Sequence, residues 1–310
     1  MSKFLKNIGW FIFFVIISYP LLVIFWGDVM PHVLKKNLNF RVASGSHLVT
    51  KINEISNYKN SDILILGSSH AYREIDTRIL KQYGYKAFNL GSSAQTPVQS
   101  LIFLQDYVNV INPKFLFYEV FPQTFEIDGV ESSLDLLAYY KINKKVLNMA
   151  FTINNIRTYN TLIFGYCKQL FGKNKNLQED TTDQEDNYIS GGFVEKKKIT
   201  FNQEKAPDVI NKIKWTPRSY QLSAFEKMVS LAKNKNIKLI LIQTPVTSFR
   251  YAKYSDNENI DKYFSGKAQY YNFNKLMSLS DSVHFYDDHH LNQIGVRLFD
   301  DALMKYIFGK

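Results

Sequence analysis

Residues 62–69 read Asp-Ile-Leu-Ile-Leu-Gly-Ser-Ser, and the fold turns on how they are read. Four apolar residues in succession, stopping at a glycine, are the pattern of a strand buried on both faces, as strands of a parallel sheet are. The pattern recurs. Ala87-Phe88-Asn89-Leu90 stops at Gly91, and Phe115 to Phe121 follows a break at Asn112-Pro113. Ile237 to Ile242 stops before Thr244-Pro245, and Val283 to Tyr286 supplies a last short strand. Between these runs the apolar spacing becomes helical, over Ala71–Tyr83, Thr96–Val110, Ser219–Lys233 and Gln293–Phe308. Pro97 sits in the first turn of the second helix, where its missing N–H removes no hydrogen bond. Strands alternating with helices predict an α/β fold, a three-layer α/β/α domain with a parallel central sheet.

Upstream lies a different signal. Ile8 to Trp26 carries no charge over 19 residues, about the length a helix needs to cross ~30 Å of hydrocarbon. Trp10 and Trp26 mark its ends, where indoles favour the interface, and Pro20 is tolerated better there than in a soluble helix. A cleaved signal peptide is the rival reading, but its apolar region is usually shorter and ends in small residues, unlike Phe25-Trp26-Gly27-Asp28. The expected organisation is a short cytoplasmic tail (1–7), a single-pass transmembrane anchor (8–26), a polar connecting segment (27–60) and an extracytoplasmic domain (61–310). Lys3 and Lys6 precede the span and suit that orientation; Lys35, Lys36 and Arg41 follow it and weigh against it. The domain carries an insertion at about 130–215. Residues 173–192 are polar and acidic and read as a mobile surface loop. The following Lys196-Lys197-Lys198 reads as a solvated face.

Composition narrows the function. With 45% hydrophobic and 15% aromatic residues, the 310-residue chain is too apolar to be disordered. One cysteine, Cys167, excludes an internal disulfide and a zinc cluster built on several thiolates. The net charge of +10 invites a nucleic-acid partner. The basic residues are nearly all scattered Lys, whereas base readout relies on clustered Arg, so no nucleic-acid partner is expected. Outside a membrane, such charge suits anionic head groups or acidic glycans.

In open α/β sheets ligands bind beyond the carboxyl ends of the strands. Those ends deliver Gly67-Ser68-Ser69-His70, then Asn89-Leu90-Gly91-Ser92-Ser93, then Glu119 with Pro122-Gln123-Thr124, and finally Asp287-Asp288-His289-His290. A serine nucleophile needs a base within hydrogen-bond reach and an acid to orient that base. Asp287 and His290, three residues apart, supply the last two. A glycine lets a backbone N–H approach a developing oxyanion. His70 directly follows Ser69 and reads as local packing or rim. Asp281 and His284 repeat the acid–His spacing inside the apparent strand and read as structural, as do the turn residues Ser92 and Ser93. Arg73 and Glu74 read as a solvated helix face, although Arg73 is placed to reach an anionic ligand. Asp288, His289 and His290 resemble metal ligands, but spacing places no ligand from elsewhere in the chain beside them, so neither metal nor cofactor is expected.

These blocks resemble the SGNH (GDSL-type) hydrolases. Leu66-Gly67-Ser68-Ser69 resembles their first block, with Ser68 where Asp is usual, and Asn89-Leu90-Gly91 resembles the second. Asp287-x-x-His290-Leu-Asn-x-x-Gly295 resembles the last. The resemblance implies Ser69 as nucleophile, His290 as base and Asp287 as the residue orienting it, with the Ser69 and Gly91 N–H groups lining an oxyanion hole. The family's third block, Gly-x-Asn-Asp, has no counterpart in Tyr118-Glu119-Val120-Phe121-Pro122-Gln123, where Gln123 is the candidate replacement donor. The Gly-Ser-Ser variant, anchor and insertion resemble the membrane-tethered branch that includes alginate-acetylation proteins and the D-alanyl transfer protein of teichoic-acid operons. That implies a serine esterase or O-acyltransferase acting on acyl, chiefly acetyl, esters of a cell-envelope polysaccharide, with a membrane-bound O-acyltransferase as a partner. The alternative is a weak or inactive module of the same fold that binds glycan or such a partner.

Overall fold

A computed structural model describes residues 1–40, 45–172, 179–182, 185–197, 199–202, 207 and 209–310. In chain order the helices and strands are α1 (Ser2–Val29), α2 (Leu48–Glu54), β1 (Ile63–Leu66), α3 (Ser69–Glu74), α4 (Thr77–Gln82), β2 (Ala87–Asn89), α5 (Pro97–Ile111) and β3 (Phe115–Glu119). Then come α6 (Val130–Tyr139), α7 (Lys144–Ile153), α8 (Ile156–Leu170), β4 (Asp186–Ile189), β5 (Phe193–Lys196), α9 (Ser219–Asn234) and β6 (Lys238–Gln243). The last are α10 (Ser248–Tyr251), α11 (Asn257–Ser265), β7 (Gln269–Asn272), α12 (Phe273–Leu276) and α13 (Gln293–Phe308). They form two compact units, Met1–Val42 with Ser133–Leu177, and Ala43–Ser132 with Gln178–Lys310.

The second unit is the α/β domain. Its sheet runs β2-β1-β3-β6-β7, and every pairing is parallel. Asp62 sets the starting register: its carboxylate accepts from the Lys86 N–H (3.0 Å) and the Lys114 ammonium (2.8 Å), tying the foot of β1 to both neighbours. All four β1 side chains are buried, because both faces of the sheet are covered. Ile63 and Ile65 join Phe117, Ile240 and Ile242 in a core with Phe299 and Leu303 of α13. On the opposite face Tyr118 stacks against Phe225 of α9, their ring centroids 5.9 Å apart. That is the three-layer arrangement expected. The chain leaves β1 towards β2 on one side and continues from β3 to β6 on the other, so the topological switch point falls between β1 and β3.

Several expectations are corrected. The fifth strand is Gln269–Asn272, not Val283–Tyr286, which forms a turn with one isolated bridge, Phe285 to Leu291. Tyr270 and Tyr271 are too few to stand out as an apolar run, and their strand lies at the sheet edge. Ala71–Tyr83 is two helices, because Ile75 is extended and Asp76 caps the second through the Arg78 N–H (2.8 Å). The connecting segment holds α2, which at seven residues is too short to show a period. The surface loop at 173–192 lies partly outside the described residues (173–178 and 183–184), and its end is the first strand of a hairpin. β4 and β5 pair antiparallel through Gly191 and Gly192, whose φ values are +101° and +94°. The Gly191 carbonyl accepts from the Asn89 N–H at 2.8 Å, so the turn docks on the end of β2. Lys196 is no solvated face: it pairs with Glu185 (2.9 Å) and Asp186 (3.4 Å). Lys198 lies outside the described residues.

In the first unit α1 has a mean hydropathy of 2.5 over its most apolar stretch and is long and apolar enough to cross a membrane, as an anchor or a signal sequence would. Its side chains from Phe4 to Ile17 are largely exposed. Further along, Val23 packs with Leu38 and Phe164, and Tyr19 donates to Asn160 of α8. Gly27 lets α8 approach, since a Cβ there would fall 2.3 Å from the Phe164 ring.

The hairpin turn supplies a test. A Cβ at Gly192 would lie 1.9 Å from the Asn89 carbonyl oxygen. Gly192→Ala is therefore expected to cost about 2–4 kcal/mol through overpacking and positive-φ strain together, read from the urea midpoint. Gly84→Ala shares a positive φ but has open space around it, and is expected to cost less.

Candidate active site

Ser69 opens helix α3 directly after β1. The chain reaches it through Gly67, at φ +145°, and Ser68, which caps the helix by accepting from the His70 N–H. Ser68 in turn is held by Glu119 at the end of β3: one carboxyl oxygen accepts both the Ser68 N–H (2.9 Å) and its hydroxyl (2.8 Å). Glu119 is buried, and that burial raises its pKa. As the first residue of a helix, Ser69 has a backbone N–H with no intrahelical acceptor.

The loop before α13 brings the partners. Ser69 Oγ lies 2.8 Å from His290 Nε2, and His290 Nδ1 lies 2.8 Å from Asp287 Oδ2. The other oxygen of Asp287 accepts the backbone N–H groups of His289 (2.9 Å) and His290 (2.7 Å), so one carboxylate shapes the turn and orients the ring. Burial opposes the charge on Asp287, but the hydrogen bond from His290 and the nearby imidazoles outweigh it and hold the carboxyl well below its usual range. With Asp287 ionised, the His290 proton belongs on Nδ1, leaving the Nε2 lone pair towards Ser69. Burial pushes His290 itself down to about 4. The helix beyond is capped by Asn292, whose side chain accepts the N–H groups of Ile294 and Gly295, both at 3.1 Å.

The second loop is tied to α3. Asn89 donates through its side chain to the carbonyls of Ala71 (2.7 Å) and Ile75 (3.2 Å) and accepts the Gly91 N–H at 3.1 Å. A Cβ at Gly91 would fall 2.9 Å from that of Ala71, so glycine here permits close packing of the loop on the helix. The Gly91 carbonyl accepts from the Lys51 ammonium at 2.7 Å. Lys51 is fully buried, which drives its pKa well below the ordinary value. Gln123 accepts from Arg250 through its side-chain oxygen, leaving its amide N–H groups for another acceptor. Arg250 also faces Asp288 at 3.5 Å.

The remaining candidates separate clearly. His70 is not at the rim. It is buried, shares a 3.0 Å hydrogen bond with Glu74, and stacks on His290 with ring centroids 4.9 Å apart. Burial lowers His70 to about 4 and raises Glu74 to about 8, which favours a neutral pair over an ion pair. Arg73 is not a solvated face either: it makes a two-pronged contact with Asp186 of β4 at 3.0 and 2.7 Å. His284 accepts the Ser280 N–H (2.8 Å) and Asp281 accepts that of Ser248 (2.9 Å), so both shape loops. Sequence reading passed over Lys51 and the role of Glu74, and only their burial and partners reveal them. A lysine within a short amphipathic helix carries no signal of its own. Glu74, four residues after His70, carried the one available hint.

No protein-family model matches the sequence, and no curated protein matches it. Among solved structures, a protein from Bacteroides fragilis described as an acylhydrolase is similar at 13% identity and a TM-score of 0.42, over 86% of this chain and 98% of its own. A GDSL-like lipase from Bacteroides thetaiotaomicron is similar at 13% identity and a TM-score of 0.41, over 85% of this chain and 98% of its own.

The Glu119 contacts set up a direct comparison. Glu119→Gln keeps a carbonyl oxygen for both Ser68 donors and is expected to cost about 1 kcal/mol or less. Glu119→Ala leaves a buried N–H and hydroxyl unpaired and opens a cavity, with an expected cost of about 2–5 kcal/mol by urea denaturation.

Proposed function

We propose that this chain is a serine esterase or O-acyltransferase working through Ser69, His290 and Asp287. The observation carrying that reading is the unbroken hydrogen-bond series from Ser69 Oγ through the imidazole to the Asp287 carboxylate, at 2.8 Å for each link. It stands at the carboxyl end of β1, beside the switch point where open α/β sheets bind ligands.

The geometry supports acyl transfer through a serine ester. Ser69 Oγ attacks an ester carbonyl carbon as its proton passes to His290 Nε2, and Asp287 stabilises the imidazolium formed. The carbonyl oxygen, now an oxyanion, is met by the Ser69 N–H, by the Gly91 N–H in exchange for its bond to Asn89, and by the Gln123 amide. The tetrahedral intermediate collapses, the ester C–O bond breaks, and His290 returns the proton to the departing alcohol oxygen. Water or a sugar hydroxyl, giving its proton to His290, then attacks the acyl-serine carbonyl; the bond from that carbon to Ser69 Oγ breaks, the acyl group leaves on the incoming oxygen, and His290 returns the proton to Ser69. Water makes the protein an esterase and a sugar hydroxyl makes it an acyltransferase. Reading the apolar helix α1 as an uncleaved anchor supports this chemistry at the outer face of a membrane. With the resemblance to the tethered SGNH branch, that favours acyl, chiefly acetyl, esters of an envelope polysaccharide as substrate, and a membrane-bound O-acyltransferase as partner.

The second reading, a module of the same fold that binds glycan or that partner without turnover, draws on the Gly91 N–H already being engaged by Asn89 and on the absence of the family's asparagine donor. One experiment separates the two. Ser69→Ala is expected to lower p-nitrophenyl acetate hydrolysis by ~10³-fold or more and to abolish labelling by a fluorophosphonate probe. Full retention of both would sink the enzymatic reading.

Acid pH gives a further check. Neutral His290 is the working form, and its lowered pKa keeps it neutral as the medium turns acid. The acid limb of kcat/KM is therefore expected near pH 4, with activity at pH 5.5 close to its plateau. An unperturbed imidazole would leave only about a tenth of it there.

A further inference from the structure

Three imidazoles meet beside Ser69. His70, His289 and His290 each bring one ring nitrogen within 4.8 Å of the others, from α3 on one side and the loop before α13 on the other. Each also has its Nδ1 on a different carboxyl group: His70 on Glu74, which would release its proton as a metal binds, His289 on Asp288 and His290 on Asp287. A carboxylate on the far nitrogen is how metal-ligating histidines are oriented and made better donors, and it leaves Nε2 as the coordinating atom. His290 Nε2 faces Ser69. His70 Nε2 is buried and has no hydrogen-bond partner, which is costly for a polar atom out of contact with water.

We propose that His70, His289 and His290 form a binding site for a divalent transition metal, with Zn²⁺ the fitting ion. Neutral imidazoles suit Zn²⁺, and three of them leave one tetrahedral position open. Metal–nitrogen bonds of about 2.0–2.1 Å require the three rings to draw together. The three rings are already in contact, His290 lying 3.9 Å from His289 and 4.9 Å from His70 by ring centroids, and His289 is the most exposed of them. Glu74 binds both halves of the site, since the carboxyl oxygen that meets His70 also accepts the Leu291 N–H at 3.3 Å. Arg250 is a cation beside the cluster, and the Asp288 carboxylate 3.5 Å from it offsets its charge. Coordination would use the His290 lone pair that otherwise accepts the Ser69 proton. A bound ion and an activated serine therefore exclude each other, and the metal would act as an off-switch. That consequence rests on the serine-hydrolase reading; the site itself does not.

The test has two arms on the full-length protein. Equilibrium dialysis against Zn²⁺ is expected to give one ion per chain in the wild type and in Ser69→Ala. Affinity should fall ~10–100-fold in Glu74→Gln, by analogy with other supporting carboxylates, and at least as far in His289→Gln. His289→Gln, at a half-exposed position, keeps the test valid should the buried Glu74 variant fail to fold. Absence of stoichiometric binding, or binding unchanged in His289→Gln, would overturn the site. In the second arm, Zn²⁺ is expected to block fluorophosphonate labelling of wild-type Ser69, and EDTA to restore it. Labelling unaffected by saturating Zn²⁺ would overturn the off-switch. Absence of labelling even without metal would instead count against the serine-hydrolase reading, and dialysis would still decide the site.

Discussion

A side chain at position 67 has nowhere to go. Its Cβ would fall 2.6 Å from that of Glu119 and 3.0 Å from that of Ala71, at a φ of +145°. The missing side chain lets the backbone turn from β1 into α3 while touching β3. Glu119 can then receive both Ser68 donors, and Ser69 starts the helix facing the imidazole. The second loop uses the same device, with Gly91 pressed on Ala71 and its neighbour Ser92 donating to the Gly67 carbonyl at 3.1 Å. Two glycines against one alanine thus set how closely three strand ends converge.

Around that point the molecule buries ionisable groups rather than avoiding them. Lys51, Glu74, Glu119 and His70 have almost no exposure, and Asp300 on α13 is buried as well, accepting the Asp76 N–H at 2.8 Å. For each, burial is the leading influence on its pKa and moves it towards the neutral form. Neutral polar groups with hydrogen-bond partners hold geometry without the full penalty of desolvating a charge. Asp287 differs, kept ionised by the imidazoles beside it, as Asp186 is by Arg73. A strongly anionic carboxyl is thereby aimed at the His290 ring.

Much of this was legible beforehand, for identifiable reasons. Four of the five sheet strands are short apolar runs, and the glycine or proline after them is a turn signal. The terminal helix from Gln293 to Phe308 kept its expected bounds because Asn292 caps it and Gly309 ends it. Asp287 and His290 stood out by their three-residue spacing and Ser69 by its resemblance to the SGNH first block, and the fold brings all three into one hydrogen-bond series. The features that stayed hidden are those defined by distant partners. The β4–β5 hairpin has little apolar content of its own and depends on Asn89, Arg73 and Asp186 for its place. Lys51 depends on the Gly91 carbonyl. His70 looked like a bystander next to Ser69, because adjacent residues on a helix point in different directions, yet its ring stacks on that of His290 through the loop before α13.

The Ser69–His290 contact joins residues 221 positions apart, and residues 133–177 between them belong to the other compact unit. Loop closure over such a distance is slow, and chains generally acquire structure in the order of their synthesis. β1, β2 and β3 emerge early and can pair among themselves, but β6, β7 and the histidine loop arrive only with the final third of the chain. A growing polypeptide therefore carries Ser69 long before it carries His290. The contact between the two is therefore one of the last events of assembly, formed long after the N-terminal apolar helix has been made.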